Sequence, residues 1–365
     1  MSKLKSFWDE YDELIKNTDR WCYYPETAKF IDSQNIFDNE NSTCFIENVF
    51  KQGRKTHALD AWKYEGFKIE DSRAKHTVSA FLLGVLIRDK LNISMTELPK
   101  LNDKPTKTFL YFWSLICLYH DFAFSMENCS SEIGVYSFES FKTRFNIEYS
   151  LEEESNYGDL IKNYFEYRIN VETKIDHGIA GAMFIYDGLM KEYYAARAYK
   201  GIDIEKNFQH DGLKYSRDYK RHAVMIANTI ARHNMWIAGQ DKEDKYKKYG
   251  LESLIAKDNN SHIISISAKD IDVKDKLLFL LGLVDTIEPI KCMGRNENAK
   301  IYTNAYLITE KMKVKFCKNP KAIVIKCDSS TQYSDYCNSI YKIGDWLDVS
   351  LETNDRENII KIIVN

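Results

Sequence analysis

From about residue 71 to residue 292 the apolar residues of this chain recur at helical intervals, and that spacing restricts the fold more than any other feature. It predicts helices over 75–91, 107–126, 173–199, 218–237 and 273–290. Helices with an apolar stripe bury it against one another, so the stretch 71–293 reads as a helical bundle. With 44% apolar residues in a chain of 365, a core closes without a disulfide or metal staple.

The flanks read differently. Residues 1–70 mix aromatic and acidic positions, with a helix predicted over 6–16, and form an extension expected to pack on the bundle. Polar inserts at 128–157, 200–215 and 240–261 interrupt the bundle, the last with the run DKEDKYKK, which reads as a solvated face. The first two inserts join candidate ligand-bearing helices, so they are expected to rim a pocket and offer Tyr, Phe and Arg side chains to a substrate. After Gly294 the period changes. KIYTNAYLI, MKVKFC, AIVIKC and ENIIKIIV read as strands and YSDYCNSIYKIGDWL as a helix, giving a small α+β subdomain over 294–365. The expected fold class is mainly α, a bundle with this C-terminal appendage.

Several function classes drop away on composition. Eight scattered cysteines form no C-x-x-C pair, so neither a zinc clamp nor a dithiol redox site is indicated. The N-terminal MSKLKSFWDEYDELIK has no apolar signal region and no long uncharged run follows, so no membrane partner is expected and the address is cytoplasmic. Net charge is −3, from 51 basic and 54 acidic residues, which gives no global field for holding a nucleic-acid backbone. Neither a P-loop nor a G-x-G-x-x-G fingerprint is present.

The chemistry concentrates in the histidines. Of eight, five (His76, His120, His177, His222 and His233) fall on the predicted bundle helices. Neutral imidazole is a good metal donor near neutral pH, and carboxylates complete sites for harder divalent ions. In WSLICLYHDFAFSM, His120 and Asp121 close a strongly apolar run, where two adjacent polar groups are costly to bury without a shared partner. Alone, such a pair is most simply a helix end facing solvent. Its company changes that: AKHTVSAFLLGVLI places His76 upstream, and LLFLLGLVDTIEP places Asp285, a lone carboxylate in an apolar run, downstream. His210, His57 and His262 have no apolar helical context and read as surface residues.

This ordered series, His76, His120–Asp121 and Asp285, resembles the HD superfamily of metal-dependent phosphohydrolases, whose signature is a His, a His-Asp doublet and a distant Asp on a helical bundle. The resemblance covers about three fifths of the chain. Members with two metals add two histidines between doublet and last Asp, and DHGIAGAMFIYD offers His177 while RHAVMIANTIARHN offers His222 and His233. His177 followed by G-x-x-G-A is similar to the corresponding segment of CRISPR-associated HD nucleases. His222 and His233 lie eleven residues apart, about 16 Å along a helix at about 1.5 Å per residue, so both cannot bind one ion. His233 ends the apolar stripe, as the family's fourth histidine does, and is the expected ligand. His222 then becomes a substrate-contacting or solvent-facing residue.

The resemblance implies divalent ions (Mn, Fe, Ni, Zn or Mg, two of them), with His76, His120 and Asp285 on one, His177 and His233 on the other, and Asp121 bridging them as the catalytic residue. It further implies hydrolysis of a phosphate ester of a nucleotide or short single-stranded nucleic acid. Many HD phosphodiesterases carry a phosphate-binding Lys just after the doublet, whereas this chain continues Phe-Ala-Phe-Ser. Phosphate neutralisation is therefore expected from Arg73, Lys75 or Arg232, or from the ions. Three alternatives stay open: a single-strand nuclease of the HD type, a di-iron oxygenase with the same ligand classes, and a binding or regulatory protein without catalysis.

Overall fold

The computed structural model describes residues 3–23, 36–51, 71–95, 98, 105–200, 208–210, 213–215, 217–255, 273–293 and 305–364. His57 and His262 lie outside them.

A two-residue strand β1 (Lys5–Ser6) leads into helix α1 (Phe7–Ile15), which starts at Ser6 because that side chain and Asp9 cap each other's backbone N–H groups at 2.9 and 3.1 Å. Helix α2 (Asn39–Lys51) follows. The bundle is built from α3 (Asp71–Lys90), α4 (Pro105–Tyr119), α5 (Gly158–Glu172), α6 (His177–Lys200), α7 (Arg217–Arg232) and α8 (Val273–Ile287). Helix α4 touches α3, α6, α7 and α8, while α8 also lies along α3 and α7. Gly84 lets α3 and α4 approach, since a Cβ there would stand 2.0 Å from the ring of buried Trp113. Near the N-terminus α1 lies on α3, with Tyr11 and Ser79 hydroxyls 3.0 Å apart in the interior.

The helix ends differ from the sequence reading, and each difference has a local cause. The run expected to stay helical to residue 126 leaves the α form at Tyr119. There the bonds tighten to a three-residue span, Phe122 N–H to Tyr119 O and Phe124 N–H to Asp121 O, so the doublet lies in a turn. The helix expected over 173–199 begins at His177, because Thr173 takes a left-handed conformation (φ 56°) that ends α5. Helix α5 itself was not foreseen, although Ile161, Tyr164, Phe165, Arg168 and Ile169 form its buried stripe. The last bundle helix, expected to run to 290, stops at Ile287 and restarts as α9 (Pro289–Met293), since Pro289 lacks the N–H needed to continue and suits a first helical position. Helix α7 stops at Arg232, short of the expected 237.

The insert 200–215 contains a small hairpin of β2 (Phe208–His210) and β3 (Leu213–Tyr215), so His210 belongs to a strand and not to the loop expected there. The charge run 241–248 is a short helical stretch that buries only Tyr246 and solvates its other side chains.

KIYTNAYLI is not a strand over its described part. Ala305, Ile308 and Thr309 are buried at helical intervals, in helix α10 (Ala305–Lys311). The strands β4 (Lys313–Lys318), β5 (Lys321–Lys326), β6 (Val349–Asn354) and β7 (Ile359–Val364) form an antiparallel sheet with β1, in the order β1-β4-β5-β7-β6. Helix α11 (Ser330–Ile340) packs against α8 and α9. Edge strand β6 is not among the expected strands, because only one of its six residues is buried and its apolar/polar alternation ends after Val-Ser-Leu-Glu. The appendage therefore touches the N-terminal strand and the end of the bundle: β1 pairs with β4, and the Tyr336 hydroxyl donates to Ile287 O, the last residue of α8, at 2.5 Å.

Candidate metal centre

Four helix ends meet at one place. Helices α4, α7 and α8 finish there, directing the partial negative charge of their last carbonyls towards it, and α6 begins there at His177. His76 comes from the first half of α3, His120 and Asp121 from the turn after α4, His233 from just past α7, and Asp285 from the last turn of α8. Ligand atoms of His76, His120, Asp121 and Asp285 all lie within 4.8 Å of one another, and so do those of Asp121, His177 and His233. The sequence-predicted ligands are therefore brought together in two groups that share Asp121. The eight cysteines are all free thiols and none joins either group.

Asp121 divides its two oxygens. Oδ2 lies 3.5 Å from His76 Nε2 and 3.8 Å from His120 Nε2, whereas Oδ1 lies 3.4 Å from His177 Nε2. Asp285 Oδ1 stands 3.2 Å from His76 Nε2 and 3.5 Å from His120 Nε2. Bonds of about 2.0–2.2 Å from an ion to N or O donors set neighbouring donors about 3.0–3.5 Å apart in octahedral or tetrahedral coordination, so these spacings suit a divalent cation.

The imidazoles are oriented in matching pairs. His120 Nδ1–H donates to Cys117 O at 2.8 Å and His233 Nδ1–H to Ile230 O at 2.6 Å, each reaching back to the last turn of its own helix. His76 Nδ1 faces Glu288 Oε2 at 2.9 Å, and His177 Nδ1 faces Glu127 Oε2 at 3.2 Å. Each group thus holds one histidine fixed by a carbonyl and one fixed by a carboxylate, and all four present Nε2 to the centre. Such outer partners fix the tautomer and raise ligand basicity.

The carboxylate partners are themselves held. Fully buried Glu288 accepts Ile290 N–H at 2.9 Å and Lys291 N–H at 2.8 Å, capping α9. Glu127 accepts from Arg168 Nη2 at 2.7 Å, and Arg168 also holds Glu172 at 2.6 Å. Buried Asp176 caps α6 through Ile179 N–H at 2.9 Å and accepts from Asn234 Nδ2 at 3.0 Å, tying the start of α6 to the residue after His233.

The glycines of His-Gly-x-x-Gly are sites of close approach. A Cβ at Gly178 would come within 3.0 Å of the His233 ring, and one at Gly181 within 2.5 Å of Tyr119 O, beside the doublet.

Burial and close opposite charges shift the titration of the clustered groups. Burial pushes the Asp121 carboxyl up, but His120, Arg73 and Lys291 more than offset it and hold it well below the ordinary range. For Asp285, burial is likewise overcome by Lys291 and by hydrogen bonds to His120 and His76. Burial pulls His76 down, yet Asp285 and Glu288 raise it to about 9, and its Nε2 lies 3.2 Å from His120 Nε2. His233 is pushed down to about 3 by burial and by His177 and His120.

The other candidates separate. Arg73 reaches the centre: Nη1 lies 2.6 Å from Asp121 Oδ2 and its guanidinium covers Phe124 at 3.4 Å. Arg232 lies over the Tyr157 ring at 4.0 Å, and Lys75 is buried within α3. His222 is buried and packs edge-on against Phe112 at 5.4 Å, so it does not face solvent; it belongs to neither ligand group. Sequence reasoning missed Glu288, Glu127 and Lys291, whose ammonium pairs with Asp285. Only Glu288 had a local signal, an acid directly before a proline at a helix break.

Among the described residues no helix is long and apolar enough to cross a membrane. No protein-family model matches this chain, and neither a curated protein nor a solved structure matches it.

Proposed function

We propose that this chain is a metal-dependent phosphohydrolase built on an HD-type helical bundle, acting on a phosphate ester of a nucleotide or nucleic-acid-like substrate through two divalent ions. The observation that carries this reading is the division of Asp121, one oxygen to each of two buried ligand groups. A carboxylate shared between two imidazole-bearing groups would suit a pair of ions about 3.5–4 Å apart.

His76, His120 and Asp285 would hold one ion, His177 and His233 the other, with Asp121 offering an oxygen to each group. Nitrogen and oxygen donors without thiolate suit Mn, Fe, Ni, Zn or Mg. Divalent ions bound there supply an activated water for attack and positive charge opposite the phosphoryl oxygens. The protein's own part is to fix four imidazoles by their Nδ1 partners, and to seat the doublet in the turn after α4.

The test is a hydrolysis screen of the Mn-loaded protein against phosphomonoesters, cyclic nucleotides, deoxynucleoside triphosphates and short single-stranded DNA, beside Asp121→Ala. Release of phosphate or cleaved product by the wild type and its loss in the variant is the expected result. A metal-loaded, folded wild type that hydrolyses none of these overturns the reading. The nuclease alternative is the outcome in which only DNA is cut.

A further inference from the structure

Two cations in the centre sit on the same oxygen atoms that face the imidazoles. Arg73 Nη1 contacts Asp121 Oδ2 at 2.6 Å, the oxygen turned towards His76 and His120. The Lys291 ammonium contacts Asp285 Oδ1, which also faces His76 and His120. Each positive side chain is the counterion of a ligand carboxylate.

Their positions differ from those of the ligands in one respect. The Arg73 and Lys291 side chains are 23% and 20% exposed, a little more than Asp285 at 17% and well beyond His76, His120 and Asp121, which are at most 4% exposed. The two cations therefore occupy the solvent side, from which a substrate arrives. Both are anchored independently of the carboxylates. Arg73 lies flat on Phe124, which in turn sits edge-on to His177 at 5.4 Å. The Lys291 backbone N–H is held by Glu288 at 2.8 Å, which fixes the start of α9.

We propose that Arg73 and Lys291 form a metal-gated oxyanion site selective for a dianionic phosphate, a phosphomonoester or terminal phosphate in preference to an internal diester. This rests on the metal-dependent reading above. While the carboxylates lack a cation, the two side chains neutralise them. With a divalent cation on the same oxygens, the guanidinium and ammonium groups would lose their counterions and stand as two uncompensated positive charges at the mouth, beside Phe124 and at the start of α9. Two such charges match a phosphoryl group that carries two negative charges, with the Arg fork taking two oxygens and the Lys a third. A diester, with one charge and two esterified oxygens, meets only part of this.

The experiment is calorimetric titration of inorganic phosphate, and separately dimethyl phosphate, into wild-type protein with and without micromolar Mn2+, repeated with Arg73→Gln, Lys291→Gln and Arg73→Lys. The metal-loaded wild type is expected to bind phosphate more tightly than dimethyl phosphate, and the metal-free protein to bind it far more weakly. Each Gln variant should weaken phosphate binding on the order of tenfold, keep or tighten Mn2+ binding measured without phosphate, and melt like the wild type. Arg73→Lys should recover part of the loss. Gln variants that bind phosphate as the wild type does, or that lose Mn2+ affinity in step with phosphate affinity, overturn the proposal while leaving the metal reading intact. A wild type that takes up no Mn2+ overturns both.

Discussion

Replacing Glu288 by Gln changes one atom in the interior and separates a ligand-orienting role from a merely structural one. In the wild type Glu288 Oε1 accepts Ile290 N–H at 2.9 Å, while Oε2 accepts Lys291 N–H at 2.8 Å and faces His76 Nδ1 at 2.9 Å. A glutamine retains one oxygen. Its better orientation keeps that oxygen on Lys291 and His76 and turns the amide NH2 towards Ile290 N–H, so one buried donor loses its partner. Such a loss costs about 1–3 kcal/mol of stability. The remaining acceptor on His76 is neutral instead of charged, and removing an outer carboxylate from a metal-bound histidine lowers metal affinity roughly 10- to 100-fold. The raised value of His76, about 9 in the wild type, should also fall, since Glu288 is one of its causes. Thermal melts of the metal-free protein report the first effect and Mn2+ titrations across pH the second. A variant that loses stability but binds Mn2+ with wild-type affinity and wild-type pH dependence would refute the orienting role.

The remaining expectations are simpler to state. His233→Ala should lower the bound metal by about one ion per chain, whereas His222→Ala should leave the metal content unchanged and cost only stability, both read by elemental analysis and melting. Mn2+ affinity should rise with pH between about 6.5 and about 9, because the ion displaces a proton that His76 holds up to about 9, and a flat titration would contradict this. The stability of the metal-free protein should move oppositely on that side: the contribution of protonated His76 is fully present below about 6.5 and lost as pH rises through about 9. On the acid side His233, pushed down to about 3, stays neutral while the unfolded chain takes up its proton, so stability falls as pH drops below about 6.5. Gly181→Ala should displace the doublet, since the new methyl stands within 2.5 Å of Tyr119 O; overpacking of this kind costs about 1–3 kcal/mol, and metal content should fall with it.

The candidate ligands are legible in the sequence because they break a pattern. A His or Asp interrupting an apolar helical run is exposed by its surroundings, and His76, His120, Asp121, His177, His233 and Asp285 all do so. Their partners break none. Glu127, Glu288 and Lys291 are three among 105 charged residues, and only the folded chain shows that they face ligand atoms. The choice of His233 over His222 followed from helix position, and its physical reason is clear in the fold: past the end of α7 the ring can reach back to Ile230 O and turn Nε2 inwards, while His222, about three turns earlier, packs against Phe112. Helix ends were read less well than helix middles, because a three-residue turn after Tyr119, a left-handed Thr173 and the stop at Arg232 are decided by single residues and their tertiary partners. Residues 305–308 were misread for a related cause, since a short apolar run carries too few positions to separate helix from strand. The appendage gave no functional signal as sequence. In the fold its Tyr336 braces the end of α8, next to the turn that carries Glu288 and Lys291.

The most direct test of the centre is the metal-to-protein ratio after loading with Mn2+ and desalting, measured for the wild type and for Asp121→Asn. A pair of ligand groups sharing Asp121 requires about two ions per wild-type chain and a clear loss in the variant, because the amide cannot serve both groups as a charged bridge. A wild type that retains no metal, or an Asp121→Asn protein that retains as much as the wild type, would contradict it.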